Sequence, residues 1–305
     1  MMMKLSGLWP ALLTPLTEGG DVDHPALAAL VEDLVLRRVD GVVPLGSTGE
    51  FTEFNAAERR AVLETVVRAV DHRVPVLAGV SGLSTAETCG HATIAAEAGV
   101  DAVLALPPVY WKVSDDRIFD HFVSVADAAG LPVVVYDFPG LTAQPLAPAL
   151  LRRLAVEEPR VIGAKLTVRD VMAVTAALVA TRPHRPDFSI VTGFEDLIPA
   201  AMWAGADGAI SGMANVIPDE LVALVDALEN GRPGATESHR AVMADFDIYG
   251  LSEPAIPGIK AAAAALGRIP RANWRLDAGP EGPVLDAAAA WAAVRQPTSQ
   301  RKDAA

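Results

Sequence analysis

A rhythm of apolar runs constrains this chain more than any other feature. Eight of them recur at intervals near 30 residues: GLWPALLTP (7–15), DGVVPLG (40–46), VPVLAGV (74–80), DAVLALP (101–107), LPVVVYD (131–137), RVIGAKL (160–166), FSIVTG (188–193) and DGAISG (207–212). Each is short for a helix and rich in Val, Ile and Leu. Runs that are apolar throughout, as opposed to alternating, suit parallel strands covered on both faces.

Amphipathic stretches with helix-start signals separate the runs. Asn55 precedes Ala56, Ala57 and Glu58, an N-cap with a carboxylate three residues on, and Ser84 with Glu87 repeats the pattern. Ser114 opens DDRIFDHFVSVADAAG, whose Gly130 suits a C-cap. Strand, loop and helix repeated eight times predict an α/β protein of the (β/α)8 TIM-barrel class. A doubly wound open sheet is the alternative, and eight units in one run favour closure. After residue 218 the strand signal stops. Helices are predicted at 219–230, 234–249, 257–267 and 283–294, a C-terminal helical appendage. The reading therefore divides the 305 residues into a catalytic barrel core over 1–218, helices over 219–295, and a polar tail over 296–305 expected to be disordered.

Composition narrows the function classes. The hydrophobic fraction of 51% allows a large core, and a charged fraction of 21% argues against disorder. A net charge of −13 offers no electrostatic case for binding nucleic acid or an anionic membrane. No run approaches a membrane span, and the opening residues, with two prolines and no cleavage signature, read as a strand and not a signal peptide. The single cysteine, Cys89, excludes an intrachain disulfide and suits a reducing, cytoplasmic setting.

Barrel enzymes carry their reactive groups at the C-terminal ends of strands, so those ends are the places to search. Of the five lysines, Lys165 alone is embedded in an apolar run. Burial disfavours the charged ammonium, and the free amine is what Schiff-base chemistry requires. A lysine snorkelling from a strand end, or paired with a carboxylate, is the other reading. Tyr136 ends the fifth run in VVVYDFPG, where a phenol can relay a proton near the lysine or simply pack on a helix. The second run ends in Gly46-Ser47-Thr48-Gly49-Glu50. Its glycines let the backbone approach a ligand, and the hydroxyls and amides between them can hold a carboxylate. The phosphate-loop pattern GxxxxGK[ST] is absent, and an ordinary turn is the other reading.

Together, G-S-T-G-E after the second run, Y-x-x-P at the fifth and G-x-K in the sixth resemble the dihydrodipicolinate synthase / N-acetylneuraminate lyase family of Schiff-base-forming class I aldolases. The resemblance covers nearly the whole chain, including PPVY (107–110), STAET (84–88), AGADGAISG (204–212) and PAIPGIKAAAAALG (254–267). It implies a Schiff-base-dependent lyase, aldolase or dehydratase, acting on pyruvate or a 2-keto-3-deoxy sugar acid with no metal or other cofactor. Lys165 would form the Schiff base, and Tyr136 would bind substrate and shuttle protons. Ser47 and Thr48 would hold the 2-keto acid carboxylate, with Thr48 also in the proton relay. Thr167, Gly193 and Ile210 would line the site. Tyr110 matches a tyrosine lent to a neighbouring subunit's site, which implies a dimer or a homotetramer built as a dimer of dimers. Lys260 matches a lysine of the C-terminal segment and is expected to be structural.

The second half of the site departs from both best-known patterns. Leu141 stands where dihydrodipicolinate synthases carry an arginine that clamps a carboxylate, and an apolar residue cannot replace that clamp. Y-x-x-P-x-L and the threonine after the lysine look more like N-acetylneuraminate lyases. However, Gly193-Phe194-Glu195-Asp196 reverses their acidic pair, and Gly212 or Met213 stands where their serine contacts the sugar chain. Dihydrodipicolinate synthase proper (4-hydroxy-tetrahydrodipicolinate synthase) and a non-catalytic barrel that binds a small acid remain the alternatives. No histidine pair has metal-ligand spacing, which disfavours a zinc-dependent aldolase. Asp21-Val22-Asp23-His24 reads as a solvated turn before it reads as a cation site. Trp111, beside Tyr110, suits either a substrate platform or an interface anchor.

Overall fold

A computed structural model describes residues 3–276 and 279–295. Seven parallel strands form one curled sheet: β1 (Gly7–Pro10), β2 (Leu77–Gly79), β3 (Ala102–Ala105), β4 (Val133–Asp137), β5 (Val161–Leu166), β6 (Ser189–Thr192) and β7 (Gly208–Ser211). Their order is β1-β7-β6-β5-β4-β3-β2. Residues 42–44 close the gap between the two edges. Ala11 bridges Val43 and Val42 bridges Val76, both in the parallel sense. Leu12 N–H donates to Val43 O at 2.9 Å, and Leu77 N–H donates to Val42 O at 3.0 Å. The fold is a TIM barrel.

The second apolar run thus contributes a bridged segment where the sequence predicts a full strand. The cause is local. Pro10, Pro44 and Pro75 all lie at this seam and have no N–H for a ladder. Leu45 then turns to a left-handed φ of 55°, which ends any extended run. The first run is also shorter than its apolar span, since β1 stops at Pro10.

Helices α1 (His24–Leu36), α2 (Ala56–Val70), α3 (Thr85–Glu97), α4 (Asp115–Ala129), short α5 (Pro139–Thr142), α6 (Pro148–Glu157), α7 (Val171–Thr181), α8 (Ile198–Trp203) and α9 (Pro218–Glu229) accompany the strands. Their starts follow the capping signals. Asn55 forms a reciprocal capping box with Glu58 on α2. Ser84 and Ser114 accept the N–H groups of Glu87 and Arg117, and Gly130 closes α4 in the left-handed region. Asp23 caps α1 by accepting the Ala26 N–H at 3.0 Å, so this turn has a structural task.

The C-terminal segment adds α10 (Ala235–Met243), α11 (Ala255–Ala265) and α12 (Gly282–Arg295). The single helix expected over 234–249 is instead α10 followed by a 3₁₀ turn, Phe246–Gly250. The tail over 296–305 lies outside the described residues.

Two apolar layers hold the barrel. One fills the space between strands and helices. The other plugs the barrel interior and includes Trp9, Leu77, Leu104, Val134, Val191 and Ile210. Packing of the interior by alternate strand residues leaves the C-terminal mouth for polar groups.

One buried ion pair joins the appendage to that mouth. Lys260 of α11 meets Glu50, the last residue of the Gly-Ser-Thr-Gly-Glu turn, with both side chains fully buried. Lys260 also donates to Asn273 O at 2.7 Å, and the other Glu50 oxygen accepts the Arg275 N–H at 2.9 Å. Burial pushes the Glu50 carboxyl up and the Lys260 amine down, and each charge partly offsets the effect on the other. Removing one partner strands a buried charge, at about 3–5 kcal/mol. Lys260→Met is therefore expected to lower the unfolding free energy measured by urea denaturation by that amount. Adding Glu50→Gln to the same chain is expected to recover part of the loss. A single variant as stable as the parent would show that the pair does not hold the turn.

Candidate active site

Strand register assembles the reactive end. Tyr136 of β4 and Lys165 of β5 are direct partners in the parallel ladder. Partners in register project from the same face, here into the barrel. The lysine Nζ lies 4.2 Å from the centre of the Tyr136 ring. Lys165 is only 6% exposed and, among the described residues, makes no ion pair. The reading of a lysine paired with a carboxylate is therefore not what the structure shows.

Thr167 and Gly193 pack against this lysine. A Cβ added at Gly193 would stand 2.0 Å from Thr167 Oγ1 and 3.0 Å from Lys165 Cε. Glycine is required here because the strand end of β6 runs against the lysine stem. Thr167 Oγ1 is buried and has no hydrogen-bond partner. Ile210 of β7 belongs to the same interior cluster as Tyr136.

The Gly-Ser-Thr-Gly-Glu turn lies at the end of the bridged 42–44 segment. Ser47–Gly49 form one 3₁₀ turn, and Glu50 ends it at a left-handed φ of 59°. Thr14 Oγ1 donates to Gly49 O at 2.9 Å, which fixes the turn to the end of β1. Ser47 Oγ is buried without a partner. The Thr48 hydroxyl lies 3.3 Å from where a Cβ of Gly212 would be, just past β7. Ser47 also borders a cavity of about 460 Å³ that runs past Phe51, Arg59 and Val109 to Leu141. The mouth thus offers an unpaired amine, a phenol beside it, and unpartnered hydroxyls that can accept or donate.

Two groups at the mouth have no clear signal in the sequence. Glu195, 1% exposed, follows β6. Its Oε1 accepts from Ser211 Oγ at 2.6 Å, Tyr249 OH at 2.8 Å and Met213 N at 3.2 Å. Tyr249 comes from the 3₁₀ turn after α10, where a continuous helix is the sequence expectation. The neighbouring Asp196 accepts from Arg169 at 2.8 Å through Oδ2, while its Oδ1 is buried without a partner. Arg169 in turn lies 4.3 Å above the Phe194 ring.

Tyr110 stands apart from this group. It has a left-handed φ of 75°, is 84% exposed, and meets Trp111 edge-on at 4.9 Å. The single chain does not bring it to Lys165. Leu141 is likewise exposed, on the short helix after β4. Asp137, next to Tyr136, faces away from the barrel interior by strand alternation. Burial pushes its carboxyl up to about 6, and it accepts the Leu146 N–H at 3.3 Å.

Known proteins share this arrangement of chain. A model of the dihydrodipicolinate synthetase family matches residues 4–282. The putative 2-dehydro-3-deoxy-D-gluconate aldolase YagE of Escherichia coli K12 is 36% identical over 264 residues, covering 86% of this chain and 87% of that protein. A 4-hydroxy-tetrahydrodipicolinate synthase of Sorangium cellulosum is 37% identical, covering 88% of each. The crystal structure of YagE in complex with pyruvate superposes with a TM-score of 0.90 at 34% identity, over 94% of this chain and 97% of that one.

The contact at Gly193 generates a prediction. Gly193→Ala is expected to push Thr167 and the lysine stem from their positions. Small misplacements of a reacting group cost rate steeply, on the order of 10²-fold per ångström. Reductive trapping of a 2-keto acid on the variant is expected to slow by about that factor, with an unchanged circular dichroism spectrum. Trapping at the parent rate would show that the lysine position is not set by this glycine.

Proposed function

We propose that this chain, which belongs to the dihydrodipicolinate synthetase family and is a lyase of the class I aldolase type, cleaves a 2-keto-3-deoxy sugar acid to pyruvate and an aldehyde. The observation that carries this reading is the buried, unpaired Lys165 with its Nζ 4.2 Å from the Tyr136 ring centre. The name borne by the YagE relative points to the same substrate class. An apolar, exposed Leu141 in place of a carboxylate clamp speaks against dihydrodipicolinate synthase proper. The lysine, phenol and hydroxyls speak against a barrel that merely binds a small acid.

The chemistry follows from the groups. Ser47 and Thr48 hold the carboxylate, which orients the keto carbon toward Lys165. The amine adds to that carbon, water leaves, and the resulting iminium withdraws electrons. Tyr136, relayed through Thr48, takes the proton of the C4 hydroxyl, the C3–C4 bond breaks, and its electron pair forms an enamine as the aldehyde departs. Protonation at C3 and hydrolysis of the iminium release pyruvate and restore the amine. Thr167, Gly193 and Ile210 confine the lysine side of the site, and no step requires a metal.

The exposed Tyr110–Trp111 pair suits a contact between copies, with Tyr110 completing a neighbour's site in a homotetramer built from dimers. A lone cysteine, the absence among the described residues of a helix long and apolar enough to cross a membrane, and the acidic charge fit a cytoplasmic enzyme whose partner is a small 2-keto acid.

Borohydride reduction in the presence of pyruvate, followed by mass spectrometry, is expected to find the adduct on the Lys165 peptide. No adduct, or one on Lys260, overturns the mechanism. Tyr136→Phe is expected to slow cleavage by about 10²–10⁴-fold, the range for losing a positioned acid-base group. An unchanged rate removes Tyr136 from the proton path.

A further inference from the structure

Going round the mouth from β4, the polar groups are Tyr136, Lys165 with Thr167, Glu195 after β6, Gly212 after β7, and Thr48. The reaction above uses Tyr136, Lys165, Thr167 and Thr48, but neither Gly212 nor Glu195 with the tyrosine it holds. Resting on that reading, we propose that Tyr249 is a specificity-determining residue for the aldehyde half of the substrate. Its phenol oxygen accepts a hydrogen bond from a hydroxyl of a short, uncharged hydroxyaldehyde portion.

Three observations lead there. The first is position. A Cβ at Gly212 would meet Tyr249 OH at 3.2 Å and Thr48 Oγ1 at 3.3 Å, so the phenol and the threonine hydroxyl flank one empty glycine face. The phenol occupies room that a side chain at position 212 would otherwise claim, and so shortens the site.

The second is direction. Tyr249 donates its single proton to Glu195 Oε1 at 2.8 Å. Burial, then the Glu195 carboxylate beside it, holds this phenol well above the usual tyrosine range, so the proton stays. The Met213 backbone N–H also reaches this oxygen, and what remains on it is acceptor capacity for one further donor. The Ser211 hydroxyl cannot serve instead, since it donates to Glu195 and accepts the Ala214 N–H at 3.1 Å.

The third is an unmatched group. Glu195 is buried, and its Oε2 has no hydrogen-bond partner. A buried carboxylate oxygen without a donor is costly, and a ligand hydroxyl would supply one. Two acceptors and one negative charge select for donors. At this point of the mouth a distal carboxylate or phosphate on the substrate meets the Glu195 charge, and the nearby Arg169 is already engaged by Asp196.

The test compares acceptors for condensation with pyruvate: glyceraldehyde, propanal of the same length without hydroxyls, and glyceraldehyde 3-phosphate. Tyr249→Phe keeps the ring and deletes the hydroxyl. It is expected to lower kcat/KM for glyceraldehyde by about tenfold, the value of one buried hydrogen bond. Propanal turnover and borohydride trapping of pyruvate on Lys165 are expected to be unchanged. Glu195→Gln keeps an acceptor for Tyr249 but removes the charge, and is expected to raise turnover of the phosphorylated aldehyde relative to glyceraldehyde. Equal losses on glyceraldehyde and propanal, or no loss on either, overturn the role of Tyr249. An unaltered phosphate ratio in Glu195→Gln overturns the charge exclusion. Failure of the parent protein to trap pyruvate sinks the Schiff-base reading itself, whereas normal trapping with unaltered aldehyde preference sinks this inference alone.

Discussion

The Glu50–Lys260 ion pair is the constraint on which the mouth of this barrel depends. Two charges removed from water are tolerated only when their remaining hydrogen-bonding capacity is filled. Here each charge has one further partner, since Lys260 reaches Asn273 O at 2.7 Å and Glu50 takes the Arg275 N–H at 2.9 Å. Arg275 continues the network to Glu58 at 2.7 Å and to Glu53 O at 3.0 Å. The turn that carries Ser47 and Thr48 ends in a left-handed glutamate, a conformation that local propensity does not favour. The turn keeps this shape because groups over 200 residues further along the chain hold its last side chain. A barrel strand end alone would not fix it.

Parts of this molecule are legible in its sequence for a plain reason. Parallel strands covered on both faces read as apolar runs, so the runs marked the barrel without any partner being known. The run over 40–46 looks like the others, but its hydrogen bonding is decided by three prolines that meet only in the closed barrel. Lys165 stands out as a candidate because a lysine amid Val, Ile and Leu is chemically out of place. Its neighbour Tyr136 is legible only as a strand-end aromatic, and their juxtaposition comes from ladder register.

Other parts could not be read. Tyr249 lies 54 positions from Glu195, and nothing near it announces the contact. It sits where the helical pattern of α10 continues in the sequence through Phe246, so its turn out of that helix is a tertiary effect. Glu195 and Asp196 are visible as adjacent acids, yet their different partners, Tyr249 for one and Arg169 for the other, are decided by the folded chain. Tyr110 is 84% exposed, and no sequence pattern of one chain can fix what such a residue meets.

The placement of Lys260 also has a consequence for the order of events during synthesis. A chain emerging from the ribosome folds N-terminal parts first. All of the strands, with Lys165 and Tyr136, are made before residue 218, but Glu50 has no counter-charge until Lys260 follows. Until then that carboxylate stays hydrated and the turn beside it stays loose, since burying it unpaired is too costly. A nascent or truncated barrel that lacks Lys260 therefore carries Lys165 and Tyr136 beside a turn whose Glu50 has no counter-charge.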